Sequence, residues 1–79
     1  MKTYVALLRS INVSGHNIIK MADLRQLLSG SELHQVQTYL QSGNLVFLSG
    51  LDNTQALAAY ISKCIKDHYG YDIQVKVFD

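Results

Sequence analysis

Two short stretches set the architecture. Residues 2–8 (Lys-Thr-Tyr-Val-Ala-Leu-Leu) and 45–48 (Leu-Val-Phe-Leu) are apolar at nearly every position and rich in β-branched and aromatic side chains. A strand with one wet face alternates between apolar and polar residues, whereas a strand in the middle of a sheet can be apolar at consecutive positions. Both stretches therefore read as central strands. By contrast, Ile73, Val75 and Val77 alternate with Asp72, Gln74 and Lys76, the pattern of a strand with one buried face.

The segments between them switch to helical spacing. Met21, Leu24, Leu27 and Leu28 recur on one side of a helix, with Asp23, Arg25 and Gln26 on the other and Gly30 as its stop. Val36–Leu40 forms a further strand, closed by turn chemistry at Gln41-Ser42-Gly43-Asn44. Leu57, Tyr60, Ile61, Cys64, Ile65 and His68 stripe a second, longer helix, opened by Asp52 or Asn53, with Gln55 completing a capping box from Asp52, and closed by Gly70. The order is β-α-β-β-α-β. Right-handed crossovers in two such split units give an α+β, ferredoxin-like sandwich: an antiparallel sheet of order 4-1-3-2 with two helices on one face. In that order the first and third strands are central, and these are the two that are apolar throughout.

The helices cover one sheet face only. Tyr4, Ala6 and Leu8 cannot share a face with Val5 and Leu7, nor Leu45 and Phe47 with Val46 and Leu48, yet all these sets are apolar. The open face is therefore expected to be covered by another domain, a second copy or a ligand.

Composition narrows the function classes. With 79 residues, 48% hydrophobic and 16% charged, the chain is globular and one domain long, and its charged fraction lies below the roughly 25% of a typical domain. A net charge of +1 provides no global field for nucleic acid or an anionic membrane. Cys64 stands alone, which excludes an internal disulfide and any cysteine cluster. No run approaches the ~18 apolar residues of a membrane span, and the first residues lack a signal-peptide pattern, so the expected location is cytoplasmic.

The chain direction brings the Arg9–Lys20 loop, the Gln41–Asn44 turn and the start of the first helix to one end of the sheet. That end gathers Arg9, Asn12, His16, Asn17, Lys20, Ser42, Gly43 and Asn44, with no acidic residue in the loop. Free backbone N–H groups at a helix start favour anions, and Lys20 stands where a helix ordinarily has a capping side chain. These residues form a candidate anion or phosphate site. The competing reading has the asparagines and Ser42 bracing two turns through side-chain-to-backbone hydrogen bonds. His34 sits in a loop, His68 reads as a half-buried core residue and Cys64 as a structural thiol. No histidines or carboxylates have metal spacing, no nucleophile pairs with a base, and no cofactor is implied. Tyr4 and Phe47 fall on the strands that RNA-recognition domains use for stacking, but the basic, multi-aromatic motif is absent, which disfavours nucleic acid.

Two blocks, Leu8-Arg9-Ser10-Ile11-Asn12-Val13-Ser14-Gly15-His16-Asn17 with Lys20-Met21-Ala22-Asp23-Leu24, and Thr38-Tyr39-Leu40-Gln41-Ser42-Gly43-Asn44-Leu45-Val46-Phe47, resemble the bacterial family known as domain of unknown function 1697. The resemblance implies a ferredoxin-like fold and a full length about twice this one. It makes the chain an N-terminal half, whose missing C-terminal half would cover the open sheet face, and it brings no established activity. Ser10 and Ser14 stand where the family usually has glycine, and His16 where it has a basic residue, which makes this loop less glycine-rich and less positive. The functional expectation is a small binding domain with an anionic ligand at the loop end. The alternatives are an enzyme fragment completed by the missing half, an RNA-binding module and a purely structural dimerisation module.

Overall fold

The computed structural model describes residues 1–12, 15, 17–30, 32–39 and 43–79. The order is β1 (Lys2–Leu8), α1 (Met21–Leu28), β2 (His34–Tyr39), β3 (Asn44–Ser49), α2 (Thr54–Tyr69) and β4 (Val75–Phe78). The strands form one sheet of order β2-β3-β1-β4, the expected order read from its other edge, and every pairing is antiparallel.

β1 is bonded on both sides, with Val5 opposite Val46 of β3 and Phe78 of β4. Although its sequence is apolar from Tyr4 to Leu8, its burial alternates: Tyr4, Ala6 and Leu8 are buried while Val5 and Leu7 are exposed. The buried set meets Leu45 and Phe47 of β3 in the core, where the Tyr4 and Phe47 rings stack at 5.7 Å. Tyr4 keeps a polar outlet, its hydroxyl donating to the Leu51 carbonyl at 2.9 Å. Both rings thus lie on the helix side of the sheet and offer no surface on which a base could stack, which removes the RNA platform built on these two residues.

α2 lies against β4 and α1 against β2, with little contact between the helices themselves. Leu57, Ile61 and Ile65 of α2 are fully buried, each contributing about 2 kcal/mol of apolar transfer. Asn53 is the N-cap, its Oδ1 accepting from the Ala56 N–H at 3.0 Å. Asp52 instead accepts from Lys2 at 2.9 Å, so no capping box forms from it. Gly70 closes the helix in the left-handed conformation at φ +78°, where a glycine costs no steric strain.

Several boundaries differ from the sequence reading. α1 ends one residue earlier, at Ser29, whose N–H and hydroxyl both reach the Arg25 carbonyl. β2 begins at His34, expected in a loop, because a bulge with Gln35 at φ +50° lets pairing resume at Gln37. β4 begins at Val75, although Ile73 before it is buried as expected. His68 is exposed and not part of the core, because Tyr69, four residues on from Ile65, takes the inward position in the last turn of α2 and packs against the core. Leu40, Gln41 and Ser42 of the expected strand end and turn lie outside the described residues.

The two candidate caps can be separated by denaturant unfolding. Asn53→Ala should cost about 1 kcal/mol, whereas Asp52→Ala, which removes only an exposed ion pair, should leave the unfolding midpoint essentially in place.

Candidate functional site

β1 leaves the sheet at Leu8, and its hydrogen bonding continues briefly beyond it: the Leu8 N–H donates to the Gly43 carbonyl at 2.9 Å and the Arg9 N–H to the Gln74 carbonyl at 3.0 Å. The start of the loop is thereby fastened to both neighbouring strands. Ile11 and Ile19, each about 1% exposed, drop from the loop into the core. Sequence reasoning passed over these two isoleucines. Their signal was the aliphatic residues Ile11, Val13, Ile18 and Ile19 in an otherwise polar loop, which follow neither a strand nor a helix period.

Asn12 ties these anchors together. Its Nδ2 donates to the Ile19 carbonyl at 2.9 Å and its Oδ1 accepts from the Ile19 N–H at 2.8 Å, so the side chain pairs with one residue's backbone as a strand neighbour would. The Asn12 N–H also donates to the Asn17 carbonyl, and Asn17 Nδ2 donates to the Ser10 carbonyl at 2.9 Å. Ser10, Asn12 and Asn17 all have positive φ, between 50° and 62°, a region that asparagine tolerates better than most residues. From the α2 side, the Tyr71 hydroxyl donates to the Ile18 carbonyl at 3.2 Å. Asn12 and Asn17 therefore brace the loop in the manner of the competing reading.

Gly43 is also a packing residue. It is buried at φ +92°, and a Cβ there would sit 2.6 Å from Ile11 Cδ1 and 2.9 Å from Leu8 Cβ. Its glycine is thus accounted for by the close approach of the β3 turn to the loop. Asn44 lies opposite Leu7 and Tyr39 in the sheet register, on the side away from the helices. His16 and Ser42 lie outside the described residues.

The cations remain. Arg9 and Lys20 are exposed, and the ion pairs among the described residues involve neither. Lys20 occupies the N-cap of α1 in extended conformation and makes no side-chain capping bond, as the sequence implied, with Asp23 in the first turn. The sequence-selected residues thus divide into a structural brace (Asn12, Asn17, Gly43) and two free charges at the same end of the molecule. Among the described residues, no group of three histidines, cysteines or carboxylates could hold a metal ion.

The other polarity-breaking surface is the open sheet face. The register lines up Phe78, Val5 and Val46 in one row, Leu7 between Lys76 and Asn44 in the next, and Leu48 beside Thr3 in a third. Val5, Leu7 and Phe78 are 38%, 39% and 44% exposed, and Val46 and Leu48 are half-buried. Tyr39, 50% exposed, continues the band onto β2.

A four-stranded antiparallel sheet carrying two helices on one face in β-α-β-β-α-β order defines an α+β domain of the ferredoxin-like kind. Over residues 1–79 the chain matches the family described as "Protein of unknown function (DUF1697)", and it belongs to that family. It is similar in structure to the conserved bacterial protein SP0830 from Streptococcus pneumoniae, with a TM-score of 0.79 and 33% sequence identity. That similarity covers 96% of this chain and 42% of the pneumococcal one, so the chain spans less than half the length of that relative. No curated protein matches it. Among the described residues, no helix is long and apolar enough to cross a membrane.

Two substitutions separate bracing from ligand binding. Asn12→Ala should lower stability by about 2 kcal/mol, because the Ile19 backbone groups it satisfies are partly buried. Gly43→Ala should cost at least as much, about 2–3 kcal/mol, from positive φ and the clash with Ile11. Chemical denaturation checks both, and an Asn12→Ala protein of unchanged stability would refute the brace.

Proposed function

We propose that this chain is a docking domain whose open sheet face seats against a second structural unit of a longer polypeptide. The observation that carries this reading is the contiguous apolar band Phe78–Val5–Val46 with Leu7 and Leu48, lying across the centre of the sheet where a monomer ordinarily places polar residues. The length of the pneumococcal relative supports it: more than half of that chain lies outside the region of similarity, enough to supply a cover. In this reading the 79 residues are one half of a two-part protein. The loop end remains outside the docked surface.

Isolated from such a cover, the chain should self-associate or bind a hydrophobic dye. Sedimentation and dye fluorescence should both show this for the unaltered chain and lose it in the double variant Leu7→Thr, Val46→Thr, whose strand propensity is preserved. A monomer at high concentration that binds no dye would refute the reading. A discrete dimer that persists in the longer polypeptide would replace the second unit with a second copy.

A second reading rests on Lys20 at the uncapped start of α1 and on Arg9 where β1 enters the loop, both exposed and in none of the ion pairs among the described residues. Together they suit a phosphate-bearing ligand, held by charge and by the free N–H groups of the helix. The braced asparagines fix the loop for it and are not themselves the ligand groups. Amide NMR titration with inorganic phosphate and with nucleotides should shift Arg9, Asn17, Lys20 and Met21, and Arg9→Ala should weaken that binding about tenfold or more. An unchanged affinity in Arg9→Ala would remove the anion site.

A further inference from the structure

The open sheet face is apolar along its middle and carries charge of one sign at one end. Alternate residues of paired strands share a face, so the register places Val5 and Leu7 of β1 with Lys76 and Phe78 of β4 on the side away from the helices. The Arg9 N–H donates to the Gln74 carbonyl at 3.0 Å, which carries the same register one pair past the end of β1. Arg9 therefore follows Leu7 on the open face, with Leu8 buried between them. By this bond Arg9 belongs to the border of the sheet as much as to the loop. Arg9 and Lys76 are both exposed, and they stand diagonally across the two strands, about 7–8 Å apart at their Cα atoms.

No acidic side chain shares this face. The chain has six of them. Asp23 and Asp67 lie in the helices, Glu32, Asp52 and Asp72 in the connections, and Asp79 follows β4 on the helix side, 3.8 Å from Lys2. Neither Arg9 nor Lys76 takes part in the ion pairs among the described residues. The Lys76 ammonium lies 5.9 Å from the centre of the Phe78 ring, which keeps it beside the apolar band. The other end of the band, at Thr3, Leu48 and His34, holds no lysine, arginine or carboxylate. The face is thus electrostatically polarised along the strands.

We infer that the element of the second unit that seats on this face is apolar along its middle and carries carboxylates at the end that meets Arg9 and Lys76. The inference rests on the docking reading and adds to it the charge and orientation of the partner. A cover without carboxylates would strip water from two cations and return nothing for it. Paired cations also fix which way round the cover lies, since a reversed cover would hold its carboxylates over the uncharged end. A second copy of this face does not meet the requirement, because it has no carboxylate to offer. Single-stranded nucleic acid is the other anionic candidate, but two cations on a chain of net charge +1 give a polyanion little to hold.

The test uses a longer polypeptide that carries the proposed second unit, with a hydrophobic dye reporting how often the face stands open. The unaltered polypeptide should bind little dye. Arg9→Glu combined with Lys76→Glu should raise the signal about tenfold or more, and Arg9→Gln with Lys76→Gln severalfold. Arg9→Lys with Lys76→Arg keeps both charges and should match the unaltered polypeptide. In the 79-residue chain the charge reversal should leave the unfolding midpoint essentially in place, because both side chains are exposed; opening then cannot be laid to a damaged fold. A reversal variant that binds no more dye than the unaltered polypeptide would overturn the inference and leave docking intact. Strong dye binding by the unaltered polypeptide would remove the docking reading, and the inference with it. Protection of the Val5 and Leu7 methyls of the 79-residue chain by oligothymidylate would assign the cations to nucleic acid and overturn the inference as well.

Discussion

The pairing of β1 between β3 and β4 is the constraint on which the rest of the molecule depends. Because β1 is bonded on both sides, every residue in it must face one side of the sheet or the other. Tyr4, Ala6 and Leu8 go to the helices and form the core with Phe47, Leu45, Leu57, Ile61 and Ile65. Val5 and Leu7 are then obliged to face away, whatever they meet there. The same geometry fixes the loop, since β1 hands the chain to Arg9 at the end where Gly43 closes on Leu8 and Ile11. A one-residue slip of β1 would exchange the two faces and place Thr3, Val5 and Leu7 where Tyr4 now stacks on Phe47.

Much of this was legible in the sequence because it is written in side-chain period. The strand order followed from element order and crossover handedness, and the central position of β1 and β3 from their unbroken apolar runs. What resisted reading lies where one residue departs from its usual conformation. A bulge at Gln35 has no side-chain signature, so the start of β2 at His34 was hidden. His68 continues the helical spacing of α2 at i+3 from Ile65, but Tyr69 at i+4 takes the inward position, and spacing alone does not choose between the two. Asp52 and Asn53 are equivalent as caps on paper, and Lys2, fifty residues away, draws Asp52 off.

The loop end shows the same division. Its location was readable, since topology alone brings the 9–20 loop and the β3 turn together. The roles within it were not, because an asparagine that binds a ligand and one that clasps a backbone look alike in one dimension. Asn12 spends its side chain on Ile19, and Ile11 and Ile19 pin the loop from below. These contacts tie the start of the loop to the residues that lead into α1.

The proposed docking of the open sheet face against a second structural unit is tested most directly by the shielding of that face. Methyl-labelled protein would be exposed to a soluble gadolinium chelate, first as the 79-residue chain and then within a longer polypeptide that carries the proposed second unit. The account predicts that Val5, Leu7, Val46 and Leu48 methyl signals are strongly attenuated in the first and protected in the second, while Leu45 and Ile61 are protected in both. Equal attenuation of the Val5 and Leu7 methyls in both would contradict it.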